Sequence, residues 1–278
     1  MKASSLYSLI FCFFSFSQIL LALGSDQISA YQQRLGDPDP MVRLSAMKEI
    51  GKLSERSPEE VGNDAVPFLT KGLSDPDLKV RYNAVSNIAA ISVQTSPKLL
   101  PLKPGMIDLR SYAPLKDALE KVLFDPDQET RQNALAAYEN LFDFTPELQA
   151  RLVAQFGAEK RGWNQELIAE ALASSQSPSK PTVDFLINLL DDHRYSHRIA
   201  ITWARIKGFP PPAAAPKLAE LLEKTSDSSE RQTFASVIGK YGEQARPYLG
   251  LIEKLRDKET DATTRSSLEV AAEAIKKE

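Results

Sequence analysis

The residues best equipped for chemistry in this 278-residue chain are two histidines, one cysteine and a recurring set of aspartates and arginines. The histidines lie together in Asp191-Asp192-His193-Arg194-Tyr195-Ser196-His197. Two imidazoles four residues apart share a helix face and, with an aspartate, could hold a divalent metal. Aligned with the turns described below, however, His193 falls on a turn proline and His197 on Val42 and Val80. The pair is therefore expected to straddle a turn and a helix start, and it lacks the glutamate of a His-Glu-x-x-His site. Nucleophilic chemistry fares no better. Cys12 is the single cysteine and sits in an N-terminal apolar run. There is no Gly-x-Ser-x-Gly elbow and no glycine-rich phosphate loop. With 26% charged residues, neighbouring carboxylates are expected as solvated helix faces. No catalytic residue, metal or cofactor is expected, and the chain reads as a non-enzyme.

The aspartates and arginines repeat with a fixed spacing. Asp37-Pro38-Asp39, Asp75-Pro76-Asp77 and Asp125-Pro126-Asp127 are each followed, six residues after the first Asp, by Arg43, Arg81 and Arg131. Small or apolar residues then recur three, four, seven and ten positions on, as in Ala84, Val85, Ile88 and Ile91. That spacing marks one buried stripe on a helix. Weaker copies are read at Asp192 with Arg198, at Arg231 and at Arg265. A degenerate unit is read near Asn164, with Leu167, Ile168 and Ala171 carrying the stripe. The arginines could form an anion-binding track. Recurrence at every unit points instead to stacking, because an arginine fork can satisfy two acceptors at once and lock neighbouring turns together.

Each Asp turn is preceded by a second helical pattern that opens near a proline: Pro67, Pro114, Pro181, Pro216 and Pro247. Proline suits a first helical turn, where its missing N–H has no intrahelical partner. Each unit thus reads as helix A, a tight turn capped by Asp, and helix B. No period-two strand pattern interrupts the series. The expected fold is all-α, an α-α superhelix of about seven helix pairs over residues 25–278, with an insertion loop at 95–112.

The core at Leu73 to Ala84, with its Leu-x-Asp-Pro-Asp-x-x-Val-Arg-x-x-Ala pattern, resembles the HEAT-like repeat family, including the short repeats of the phycobilisome-lyase type. The resemblance extends over about nine-tenths of the chain by repeat counting. It implies a solenoid whose B helices line a concave, partner-binding face, and it implies no single activity.

Helix phase nominates Tyr82, Asn83, Ser86, Gln132 and Asn133 for that face. Trp203, five residues after Arg198, joins them as an aromatic anchor; packing against the next repeat is the equal alternative. Trp163 reads more simply as core. Met106 is added from the insertion loop, whose apolar residues reach a partner or cover a seam between repeats. The expected partner is a protein or peptide. A lyase-like handler of a small ligand or chromophore is the alternative.

The N-terminus reads as an export signal. Lys2 precedes an apolar stretch from Leu6 to Leu23, and Ala22-Leu23-Gly24 provides small residues for cleavage before Ser25. Retention as an anchor is the competing reading, since the stretch approaches spanning length. Residues 1–24 are thus expected to be removed, leaving a secreted or periplasmic chain with no stable membrane insertion and no disulfide. The formal net charge is −3, which argues against nucleic-acid binding.

Overall fold

The computed structural model describes residues 25–56, 58–95, 109–160, 162–206, 208 and 210–277; of the described residues among 55–63, and of residues 95 and 111, only the backbone is described, as also for Ser25. Among the described residues there are fourteen α-helices and no strand. They pair as α1 (Ser25–Arg34) with α2 (Pro40–Arg56), α3 (Pro58–Gly72) with α4 (Leu78–Thr95), and α5 (Ala113–Val122) with α6 (Gln128–Leu141). Then come α7 (Pro146–Ala158) with α8 (Gly162–Ser174), α9 (Lys180–Leu189) with α10 (His193–Arg205), α11 (Ala215–Lys224) with α12 (Ser228–Lys240), and α13 (Leu249–Lys258) with α14 (Ala262–Lys276). The chain is an α-α solenoid in which odd helices form one layer and even helices the other. The expected seven pairs are present.

Four B helices start at a capping aspartate. Asp127, Asp192, Asp227 and Asp261 accept backbone N–H bonds from Thr130, Arg194, Glu230 and Thr264, satisfying donors that a helix start leaves unpaired. Prolines at the first turns of α5, α9 and α11 follow the expectation. Pro67 does not, since α3 begins nine residues earlier at Pro58 and carries it internally. Pro247 lies in a 3₁₀ segment, Gly242–Tyr248, ahead of α13.

The stripe residues fuse into one continuous core. Ile50, Ile88, Tyr138, Trp203 and Ile238 occupy equivalent B-helix positions, and all are buried. Two glycines let adjacent B helices approach. A Cβ on Gly239 would stand 3.0 Å from the Cα of Ala271 in α14, and one on Gly51 would overlap the Asn87 amide of α4. That amide donates instead to the Met47 carbonyl, 3.1 Å away, tying α4 to α2.

Candidate functional site

The arginine ladder is fully resolved in the first three junctions. Arg43 grips the Asp75 carboxylate at 2.7 and 2.9 Å through Nε and Nη2, while its Nη1 donates to the carbonyls of Asp37 and Pro38 at 2.8 and 3.0 Å. Arg81 repeats this on Asp125 and on the carbonyls of Asp75 and Pro76. Arg131 does the same with Glu159, at 2.8 and 2.7 Å, and with the carbonyls of Asp125 and Pro126. The six-residue spacing therefore has a cause: the guanidinium bonds the carbonyl of the residue six before it and the acid that opens the next turn. That acid is itself pre-shaped, because Asp75 and Asp125 also accept the N–H of Asp77 and Asp127 at 2.8 Å. The ladder is a stacking device, with its fork occupied on both sides.

Further along, the register differs from the sequence reading. The amides of Arg131, Arg231 and Arg265 each bond the carbonyl of the capping Asp four residues back, and at Asp192 the residue in that place is Ser196. Arg198 is two positions late. It turns back to α8, with Nε 2.9 Å from Glu166 and Nη1 3.1 Å from Glu170. Gln165 takes the arginine place in α8 and receives the Tyr195 hydroxyl at 2.9 Å, so the α8 stripe is Ile168, Ala169 and Leu172, one residue later than expected. The clamp resumes with Arg231, which pairs with Glu259. At the unclamped α10, Lys240 of α12 caps the far end by donating to the carbonyls of Trp203, Ala204 and Ile206 at 3.0, 2.9 and 2.5 Å.

This register shift corrects both tryptophans. Counted from Asp192, Trp203 falls on the stripe beside Ile88 and Tyr138; it is 1% exposed and offers no surface to a partner. Trp163, expected in the core, is 54% exposed near the start of α8. The histidines also move. Both lie within α10, where His193 projects into solvent and His197 Nε2 sits 3.2 Å from Thr233 Oγ1. Among the described residues no group of three metal-ligating side chains converges.

The remaining candidates are half-buried on the B-helix layer, and several are already engaged. Asn133 Nδ2 donates to Ser86 Oγ at 3.0 Å, joining α6 to α4. Gln132 bonds Asn164 of α8, as Gln232 bonds Thr264 of α14 at 2.9 Å. Asn83 donates to Lys79 O of its own helix at 2.8 Å. Tyr82 lies beside them. Met106 lies outside the described residues. Phase alone therefore mixed residues that stitch the layer with those that face outward. In the cap-anchored register the second, sixth, ninth and thirteenth residues after the capping position share one ridge of a B helix; Asn83, Ser86 and Asn133 lie on it and still spend polar groups on these bonds, while Gln132 lies one place off it.

A cavity of about 20 Å³ lies between α6 and α8, lined by Leu135, Leu152, Asn164 and Ile168, room for about one water. An open cleft of about 440 Å³ separates α3 from α5, bordered by Lys71, Tyr112, Asp117 and Lys121. No described helix is long and apolar enough to cross a membrane.

Residues 28–102 match the family model for HEAT repeats. No curated protein matches the chain. Among solved structures, one titled for a phosphorylation switch controlling the interaction between cadherin and beta-catenin is similar over 89% of this chain and 52% of that one, at 16% identity and a TM-score of 0.55. A designed armadillo repeat protein in complex with the peptide (KR)4 is similar over 90% and 99%, at 17% identity and a TM-score of 0.47. A computationally designed armadillo repeat protein for modular peptide recognition is similar over 89% and 99%, at 18% identity and a TM-score of 0.47. At these identities the likeness is one of fold.

Proposed function

We propose that this chain is an exported, non-enzymatic scaffold that binds a protein or peptide along its concave face. The observation that carries the reading is the continuous B-helix layer. Seven stacked helices present parallel outward ridges, giving an extended surface of the kind solenoids offer to other chains. The cavity between α6 and α8 is too small for a substrate of ordinary size, and the cleft of about 440 Å³ between α3 and α5 is open to solvent. The similar structure concerned with the interaction between cadherin and beta-catenin supports the reading by analogy of fold alone. Export rests on the composition of residues 2–24.

The test is site-specific photo-crosslinking in the native host. A photoreactive residue at Ser86 samples the B-helix layer, and one at Asp184 samples the exposed A-helix side. Cross-links to one protein from Ser86 and not from Asp184 are expected. Equal labelling from both, or none from Ser86, overturns the concave-face scaffold. N-terminal sequencing of the chain recovered from that host tests export: a start at Ser25 is expected, and an intact Met1 or Lys2 start contradicts cleavage.

A further inference from the structure

Among the described residues, every seam of the odd-helix layer but one is closed by a side-chain contact. Tyr31 and Phe68 meet across α1 and α3 with ring centroids 6.0 Å apart, and Arg151 of α7 lies 3.8 Å over the Phe124 ring that follows α5. Phe156 and Phe185 close α7 on α9 at 5.1 Å. Lys217 of α11 pairs with Asp191 just beyond α9, and Lys254 of α13 stands 3.8 Å from Glu223 of α11. Between α3 and α5, where the insertion 95–112 falls in the sequence, no hydrogen bond, ion pair or ring contact crosses among the described residues. Thr70, Ser74 and Ala118 line that gap and are too short to span it.

The cleft left there, of about 440 Å³, has the size of small-molecule sites, about 300–1,000 Å³. Its charged groups serve no contact within the fold. Lys71 and Lys121 stand two residues before Leu73 and Leu123, the same place in neighbouring repeats, so their stems leave helices about 8–10 Å apart. Both line the cleft, both are exposed, and neither has a carboxylate partner among the described residues. Asp117, four residues before Lys121, also lines it exposed and without an ion pair. Thr70 spends its hydroxyl proton on the Val66 carbonyl at 2.7 Å and so offers only acceptor lone pairs. Tyr112 and Pro114 border the cleft at the start of α5, the end away from the two lysines. The cleft thus sets two cations at one end, two acceptors between, and a ring beside a proline at the other. A neutral sugar would leave the lysines without an anion. A plain carboxylic acid would bring no donor to Asp117 or Thr70, and a polyanion would meet the Asp117 charge.

We propose that the α3–α5 cleft binds a sugar acid. Its single acid group sits between Lys71 and Lys121, its hydroxyls donate to Asp117 and Thr70, and its ring rests against Tyr112 and Pro114. The site lies on the layer opposite the B helices, so it stands or falls separately from the scaffold. Isothermal titration calorimetry of the full chain with glucuronate, glucose 6-phosphate and glucose tests it. At least one of the two acids is expected to bind about tenfold or more tightly than glucose, and the tighter of them identifies the acid group as carboxylate or phosphate. Added salt should weaken that binding. K71Q with K121Q should lower the affinity about tenfold, while K48Q with K52Q on α2 leaves it unchanged. Asp117→Asn should weaken glucuronate and not propionate, which has no hydroxyl to donate. Because these side chains are exposed and unpaired, the variants should melt as the parent does. No heat from either acid at millimolar concentration, equal affinity for glucose and both acids, or indifference to the lysine double variant overturns the site. An equal response of glucuronate and propionate to Asp117→Asn overturns the assignment to a sugar.

Discussion

At the scale of single residues, the arginine clamp is the feature with the clearest energetic consequence. Arg81 and Asp125 are both largely buried, and the guanidinium also serves two carbonyls. Removing it leaves a carboxylate and two carbonyls short of partners, which costs about 2–4 kcal/mol by the usual penalties for orphaned buried groups. Arg81→Ala should therefore lower the melting temperature by several degrees, and Arg81→Lys should recover only part of it, because an ammonium cannot reproduce the fork. An unchanged melt for Arg81→Ala would return the ladder to the role of a ligand track. The same clamps set an acid limit. Burial would raise the carboxyls of Asp75 and Glu159, but Arg43 acts on the first and Arg131, Gln155 and Asn164 on the second, and both end below the ordinary carboxylate range. A depressed folded-state value stabilises above the unfolded value of about 4 and loses that stability as pH falls through the folded one. Melting temperature should thus decline below about pH 4, and Glu159→Gln should start lower and decline less steeply. A parallel decline in the variant would place the acid sensitivity elsewhere.

At the scale of elements, the junctions are fastened unequally. The turns after α3 and α5 each carry an arginine clamp from the preceding B helix, whereas Ser196 and Leu190 replace the Arg and Asp of that pattern around α10. α10 is tied to α12 instead by the His197–Thr233 contact and, at the opposite end, by Lys240, whose burial disfavours the ammonium and shifts it below the usual lysine range. Hydrogen exchange should accordingly be faster in the first turn of α10 than in that of α6, and Lys240→Met should free the last turn of α10 without touching α4. Uniform protection across both helices would show that apolar packing, not the polar fastening, sets local stability. These junctions also show what was legible in the sequence. Capping Asp, the buried stripe and the pairing of helices were readable because each depends on residues within one turn or one helix. The register of α10 was not, since a six-residue Asp–Arg coincidence at Asp192 and Arg198 mimics the true spacing, and α8 carries no Asp–Arg pair to mark its own. Only the bond from the Ser196 amide to Asp192 shows which residue holds the arginine's place. That coincidence moved Trp203 off the stripe, with packing against the next repeat as the equal reading, whereas Trp163 was read as core from its place in the degenerate unit near Asn164.

At the scale of the molecule, a solenoid's stability is distributed. Each repeat buries its stripe against its neighbours, so the whole should behave as a chain of nearest-neighbour interfaces rather than as one indivisible core. The concave candidates illustrate the same point: Gln132, Asn133 and Ser86 lie half-buried on the layer, yet their polar groups run sideways between repeats, a use that exists only once neighbours are stacked. No local sequence pattern announces that, because partner and residue are 32 to 47 positions apart. The consequence is testable by shortening the array. Ending the chain at Lys224 removes α12, α13 and α14 and uncovers the face of α10 that holds Ile199 and Trp203. The first eleven helices should retain helicity nearly in proportion to their length, with a lower melting temperature and a sharper loss in α9–α11 than in α2–α6. The arginine-clamped junctions would then act as the self-sufficient part of the array. Complete loss of helicity on the same truncation would instead mean that α12–α14 nucleate the fold, and that the clamps serve only to align repeats that packing has already joined.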